Sequence, residues 1–105
     1  MVEHRIDAIR GDSFAFSVRI DDAQGRDVES LTFKVKTDKD TVSNLISLSI
    51  GSGITEVETG LYSVYLEPSE TANLDPKEYY YLCRLGLDDD IYTLIRGTFN
   101  LIKVE

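Results

Sequence analysis

The chain has 105 residues, of which 42% are hydrophobic and 29% charged, and its formal net charge is −8. A chain of this length and composition can bury one compact core, so we expect a single domain spanning residues 1–105. The negative charge repels phosphate groups, which argues against nucleic acid and anionic membranes as partners.

Cysteine content and the N-terminus bear on the compartment. Cys83 is the only cysteine, so an intrachain disulfide is excluded. The first twelve residues are charged and lack the apolar core of a signal peptide. No apolar run approaches the ~20 residues of a membrane span. We therefore expect a chain that is made in the cytoplasm and does not enter a membrane.

Apolar and polar residues alternate with a period of two along most of the chain, which indicates half-buried β-strands. The pattern is clearest in SFAFSVRI, where Phe14, Phe16, Val18 and Ile20 alternate with small or polar residues. Gly51, Ser52 and Gly53 interrupt the alternation and predict a turn. In the first half of the chain the predicted strands lie at 6–9, 14–20, 31–36, 45–50 and 54–58.

A strand over 61–66 is predicted next, and it must stop before Pro68, which has no N–H to donate to a ladder. The segment that follows predicts a single helical turn. Ser69 is its expected N-cap and Pro76 its expected terminator.

Two long strands are predicted at the end of the chain, over 78–87 and 91–104. The three aspartates at 88–90 are interpreted as a solvated hairpin turn, because consecutive side chains do not converge on one calcium ion. Gly97 lies in the middle of the last strand, where we expect a β-bulge.

About seven strands at a spacing of about ten residues, with one short helical turn, predict an all-β, immunoglobulin-like antiparallel β-sandwich. A barrel is the main alternative. Leu74-x-Pro76-x-x-Tyr79 resembles the tyrosine corner of such domains, with Tyr79 the best candidate and Tyr80 the alternative. The expected core contains Phe14, Phe16, Phe33, Tyr62, Leu66, Tyr81 and Phe99.

The tetrapeptide Arg10-Gly11-Asp12-Ser13 matches the sequence that adhesion receptors read. A short motif of this kind also occurs by chance. Gly and Asp are turn residues, and a strand is predicted immediately after Ser13. The turn interpretation is therefore favoured over an adhesion site.

No residue pattern predicts catalysis, a metal site or a cofactor. His4 is the only histidine and lies near a terminus, so neither a histidine metal cluster nor a Ser/His/Asp triad is expected. Cys83 lies on the apolar side of its strand and is interpreted as a core residue, not a nucleophile. We therefore expect a protein that is not an enzyme, with a small hydrolase as the weakest alternative.

Three tyrosines, Tyr65, Tyr80 and Tyr92, are placed by the alternation on the outward side of their strands. Exposed tyrosines often mark contact surfaces for proteins or carbohydrates. They are the candidate partner surface.

Five motifs follow one another along nearly the whole chain. They are RGDS-x-x-F at 10–16, an acidic turn with Asp22 and Gly25, LTFKVK at 31–36, G-x-Y-x-V-x-L at 60–66 leading through Leu74-x-Pro76 into Tyr79-Tyr80-Tyr81, and L-x-x-G-x-F-x-L at 94–101. In this order they resemble the N-terminal immunoglobulin-like domain of phage baseplate upper proteins and related small phage structural proteins.

The resemblance implies a non-enzymatic structural or adaptor module of a phage or prophage, associated with the baseplate or tail and located in the virion. Other virion or tail proteins would be its partners, and a homo-oligomer, either trimer or dimer, would be possible. A carbohydrate-binding or adhesive β-sandwich that uses the exposed tyrosines is the alternative function.

Overall fold

The computed structural model describes residues 2–20, 28–38, 40, 43–58, 60–87 and 90–103. None of the helices in these ranges is long and apolar enough to cross a membrane. The elements are β1 (Val2–Glu3), β2 (Ile6–Ile9), β3 (Phe14–Arg19), β4 (Val28–Lys36), β5 (Ile46–Ile50), β6 (Gly53–Glu58), β7 (Leu61–Leu66), α1 (Pro68–Thr71), β8 (Glu78–Leu87) and β9 (Asp90–Ile102).

The strands form one continuous mixed sheet in the order β1-β9-β8-β4-β5-β6-β7-β3, with β2 also paired to β9. The all-β prediction is confirmed. The sheet differs from the predicted antiparallel sandwich of about seven strands, because β1 and β2 run parallel to β9, and β5 runs parallel to β6.

A tight corner between β5 and β6 makes the sheet continuous. Gly51 and Gly53 have φ angles of +90° and +95°, values that side chains other than glycine rarely adopt. The chain makes a tight loop here and resumes its former direction, so that Ser49 pairs with Gly53 and Ile50 with Ile54. This parallel contact joins the two halves of the fold into one rolled sheet.

The core lies inside the roll, and Phe33 is at its centre. Its ring centroid is 5.4 Å from that of Phe16, 5.6 Å from that of Tyr81 and 6.4 Å from that of Phe99. Five of the predicted core residues are buried: Phe33, Tyr62, Leu66, Tyr81 and Phe99. Phe14 and Phe16 are only half-buried, so their predicted full burial is wrong. They face the core from β3, the last strand of the sheet, which pairs with β7 on one side and with no other strand of the described residues on the other.

The N-terminal segment is fastened to β9 around His4. The His4 N–H donates to the Arg96 carbonyl at 3.0 Å, and the buried Tyr81 hydroxyl donates to the His4 carbonyl at 2.6 Å. A side chain at Gly97 would overlap that same His4 carbonyl. The predicted bulge does occur in the last strand, but at Leu94 and not at Gly97. Cys83 lies opposite Ile95 and Arg84 opposite Thr93, so Leu94 is the extra residue, whereas Gly97 allows the N-terminal backbone to approach closely.

The Arg10-Gly11-Asp12-Ser13 segment is a turn between β2 and β3, as predicted. Gly11 has a φ angle of +83°, and the Asp12 N–H donates to the Ile9 carbonyl at 3.1 Å. The Gly11 N–H donates to Oγ1 of the buried Thr71 at 2.9 Å, which anchors the turn to the end of α1.

The single helical turn is confirmed, but it begins at Pro68 with Glu67 as N-cap, not at Ser69. Proline suits the first position of a helix because its fixed φ is helical and its missing N–H would have had no partner there. The tyrosine corner is formed by Tyr79, whose hydroxyl donates to the Asp75 carbonyl at 2.7 Å.

Replacing Tyr79 with phenylalanine should lower the free energy of unfolding by about 1 kcal/mol, because the Asp75 carbonyl loses its donor. Tyr80→Phe is the matched control on the outward side of the same strand and should change stability by less than about 0.5 kcal/mol. Urea denaturation of both variants measures the difference. Equal losses would contradict the assignment of the corner to Tyr79.

Candidate functional site

The three candidate tyrosines lie on separate parts of the molecule. Tyr65 is on the outward face of β7 and donates to Ser13 Oγ at 3.1 Å. Tyr80 is half-buried on the outward face of β8. Tyr92 is near the start of β9, directly opposite the core residue Leu85, and is 43% exposed. The structure does not bring them together into one surface. Partner binding by any one of them stays a prediction.

Tyr80 belongs to a group of cationic and half-buried residues on the outward face of β4 and β8. We call this group the basic face and define it as Lys34, Lys36, Tyr80, Leu82 and Arg84. Lys34 lies directly opposite Leu82, and Lys36 directly opposite Tyr80. Directly opposed side chains are about 5 Å apart and diagonal ones about 8 Å, so these residues form one continuous patch.

The cations of the basic face lack ion-pair partners among the residues that the structure describes. The neighbouring Arg96 differs, because it forms an ion pair with Glu3 at 3.0 Å. That hydrogen bond to Glu3 is the main reason that the pKa of Arg96 is raised. The basic face therefore concentrates unneutralised positive charge on a chain whose net charge is −8.

Cys83 lies beneath this face, in the core. It is fully buried, and burial raises the pKa of its thiol to about 11. Its complete burial confirms the interpretation of Cys83 as a core residue. Across the described ranges, no three His, Cys, Asp or Glu side chains are grouped so that they could hold a metal ion.

An open cleft of about 370 Å³ separates β2 from β3. Its apolar wall includes Phe14, Phe16, Tyr81 and Ile95, and residues 4–7 form the opposite rim. The sequence did not predict this cleft, because alternation shows which side chains point inward but not which strands lack a neighbour.

The basic face was missed as well, although its signal was present. Lys34 and Lys36 alternate with buried residues, so the sequence does place both on the outward side of β4. The position of Arg84 beside them depends on the pairing of β4 with β8 across fifty residues of sequence.

No family model matches the chain, and no curated protein does. Solved structures do match. The NK cell receptor NKp44 has a TM-score of 0.60 at 11% identity, covering 99% of this chain and 100% of that one. The extracellular domain of the voltage-gated sodium channel beta4 subunit has a TM-score of 0.57 at 20% identity, covering 98% and 93%.

The fold is immunoglobulin-like. An endo-β-1,4-mannanase from Thermotoga petrophila also matches, with a TM-score of 0.53 at 14% identity. That match covers 98% of this chain but only 17% of the mannanase. At these identities the likeness shows the immunoglobulin-like fold alone.

Stability should fall as the pH rises above about 9. Burial raises the pKa of Cys83 from 9.0 to about 11 and that of Tyr81 from 10.0 to about 12. A raised pKa in the folded state favours the protonated form, so its contribution is complete below the unfolded pKa and is lost as the pH rises through the folded pKa. Cys83→Ala should make the fall between pH 9 and 11 shallower, and urea denaturation across that range measures the slope. An unchanged slope would show that Cys83 does not titrate as a buried thiol.

Proposed function

We propose that this chain is a non-enzymatic structural or adaptor module of a phage or prophage, associated with the baseplate or tail, that acts by protein–protein contact. The observation that supports this most is the basic face, a cationic patch on an acidic immunoglobulin-like domain. The order of the motifs from Arg10 to Leu101 supports the phage assignment.

The basic face has the composition of a protein-contact surface. Tyrosine and arginine are enriched in protein interfaces, and here Tyr80 and Arg84 lie on a regular sheet face. The aliphatic stems of Lys34 and Lys36 flank Leu82 and Tyr80, so the patch offers apolar contact beneath its charges. The packed core beneath the sheet fixes the backbone positions of these residues, so binding does not have to order the backbone of the patch.

The partner that fits the basic face is an acidic surface of a neighbouring virion protein. Opposite charges steer two proteins toward the correct orientation and raise the association rate, while like-charged partners are rejected. The remaining surface of this chain is strongly acidic, so the basic face sets the side from which an acidic partner approaches.

We also propose that the rolled sheet is equivalent to an immunoglobulin-like sandwich. Strands β3, β6 and β7 would form one layer, and β4, β5, β8 and β9 the other. The short β5–β6 contact would then be a corner between layers, and each layer would present one outward surface for attachment.

The proposal predicts binding to purified tail particles that lack this protein, taken from the phage or prophage whose genes adjoin its own. Lys34→Glu should slow association several-fold, since it reverses a charge in the basic face. Lys103→Glu makes the same change in net charge outside that face and is the matched control. Biolayer interferometry at two salt concentrations measures both rates.

Three outcomes would count against the proposal. Absence of binding to the tail particles would contradict the virion assignment. Equal effects of the Lys34 and Lys103 substitutions would contradict the basic face as the contact. Glycan-array binding that is lost in Tyr65→Ala or Tyr92→Ala would favour the carbohydrate-binding alternative.

A further inference from the structure

Strand β3 ends the sheet with one side unpaired. It pairs with β7 from Phe14 to Arg19 in an uninterrupted antiparallel ladder. Its other side faces the open cleft, and no other strand in the described part of the chain pairs with it. A strand edge of this kind is a template for pairing with another chain.

The backbone groups on the free side of β3 can be assigned. The Ile20 N–H donates to the carbonyl of Gly60, the residue directly opposite, at 2.7 Å. In an antiparallel ladder such bonded residues alternate with residues whose N–H and C=O point away. The backbone of Ala15, Ser17 and Arg19 therefore points away from β7, and no hydrogen bond from another described residue reaches it.

The two ends of the sheet are protected differently. At the β9 end, β1 and β2 have only two and four residues, are interrupted between Glu3 and Ile6, and carry charged side chains, all of which discourage pairing. Strand β3 has six residues and neither a proline nor a bulge. Its one charged side chain, Arg19, forms an ion pair with Glu58 at 3.3 Å.

We propose that β3 is a self-association edge and that its occupant is a second copy of this chain. The two β3 strands pair antiparallel about a two-fold axis at Ser17 and continue the sheet from one copy into the other. In this register Ser17 lies opposite Ser17 of the partner subunit, and Ala15 lies opposite Arg19 of the partner subunit.

This register is self-complementary. The backbone groups that point away from β7 in one copy meet the same groups of the other copy. The free N–H and C=O groups of Ala15, Ser17 and Arg19 are therefore all paired. No like charges face each other in this register. An isologous contact requires that one surface patch complement itself in this way.

The inner side of β3 favours the same pairing. Phe14 and Phe16 are half-buried, on a strand that has β7 on one side and no described strand on the other. In the proposed register Ile20 of the partner subunit lies opposite Phe14, and Val18 of the partner subunit lies opposite Phe16. Aromatic and β-branched residues in such cross-strand pairs stabilise a sheet. The second copy thus covers apolar surface that the monomer leaves partly exposed.

The inference goes beyond the proposed function and does not depend on it, because β3 and the basic face are different surfaces. A dimer formed through β3 leaves the basic face of each copy free. It would then present two such faces, which strengthens binding to a repeated partner through effective concentration.

Sedimentation equilibrium from micromolar to near-millimolar concentration tests the inference. The native chain should show a monomer–dimer equilibrium. Ala15→Glu should tighten the dimer about fivefold, because it places a carboxylate opposite the partner's Arg19, and Ala15→Lys should weaken it about fivefold. Net charge alone would give the reverse order, since a further negative charge increases repulsion between acidic copies.

Ser63→Glu and Ser63→Lys are the matched controls. Ser63 lies directly opposite Ser17 on the same outward face but one strand away from the free edge. Circular dichroism confirms the fold of each variant. A chain that stays monomeric throughout, two Ala15 variants that shift the equilibrium in the same direction, or Ser63 variants that shift it as much would each overturn the inference.

Discussion

The fold depends on the aromatic contacts of Phe33. This side chain lies on β4, in the middle of the sheet, and its ring touches Phe16 of β3 and Phe99 of β9. Strand β3 is at one end of the sheet, and β9 is close to the other. Phe33 therefore packs against side chains from strands near both ends of the sheet. A buried aromatic side chain of this kind contributes more to the stability of the core than most residues do.

The ends of the sheet are thus joined by side chains and not by backbone hydrogen bonds. A rolled sheet held in this way need not close, and the cleft between β2 and β3 marks the remaining gap. At the β2 side the chain is fixed by Tyr81 and Gly97, which hold the His4 backbone against β9. At the β3 side no described residue makes an equivalent contact, and Phe14 and Phe16 are half-buried there.

Much of the fold can be predicted from local patterns. Alternation of apolar and polar residues locates the strands, because a period of two directly reflects the pleat. The spacing of Leu74, Pro76 and Tyr79 identifies the tyrosine corner, since all its parts lie within a few residues. The burial of Phe33 and Cys83 follows from their positions on the apolar side of their strands.

The features that could not be predicted depend on residues far apart in sequence. Glycine is required at position 97 because a side chain there would overlap the His4 carbonyl. The alternation of apolar and polar residues carries no information about that contact. Full burial of Phe16 would require a second strand on the side of β3 that faces away from β7, and the sequence does not reveal which strand ends the sheet. Alternation does predict that Tyr65 and Tyr80 point outward. It cannot predict that they lie on different surfaces, because that depends on the order of the strands in the sheet.

Hydrogen exchange of individual backbone amides, measured by NMR in dilute solution, tests the central claim that the rolled sheet is left unsealed along β3. Amides bonded to β7 should exchange slowly, whereas those of Ala15, Ser17 and Arg19 should exchange rapidly, because they point away from the ladder. This alternation within one strand is the expected result. Uniformly slow exchange from Phe14 to Ile20 in the monomer would show that β3 is paired on both sides, and would contradict the account.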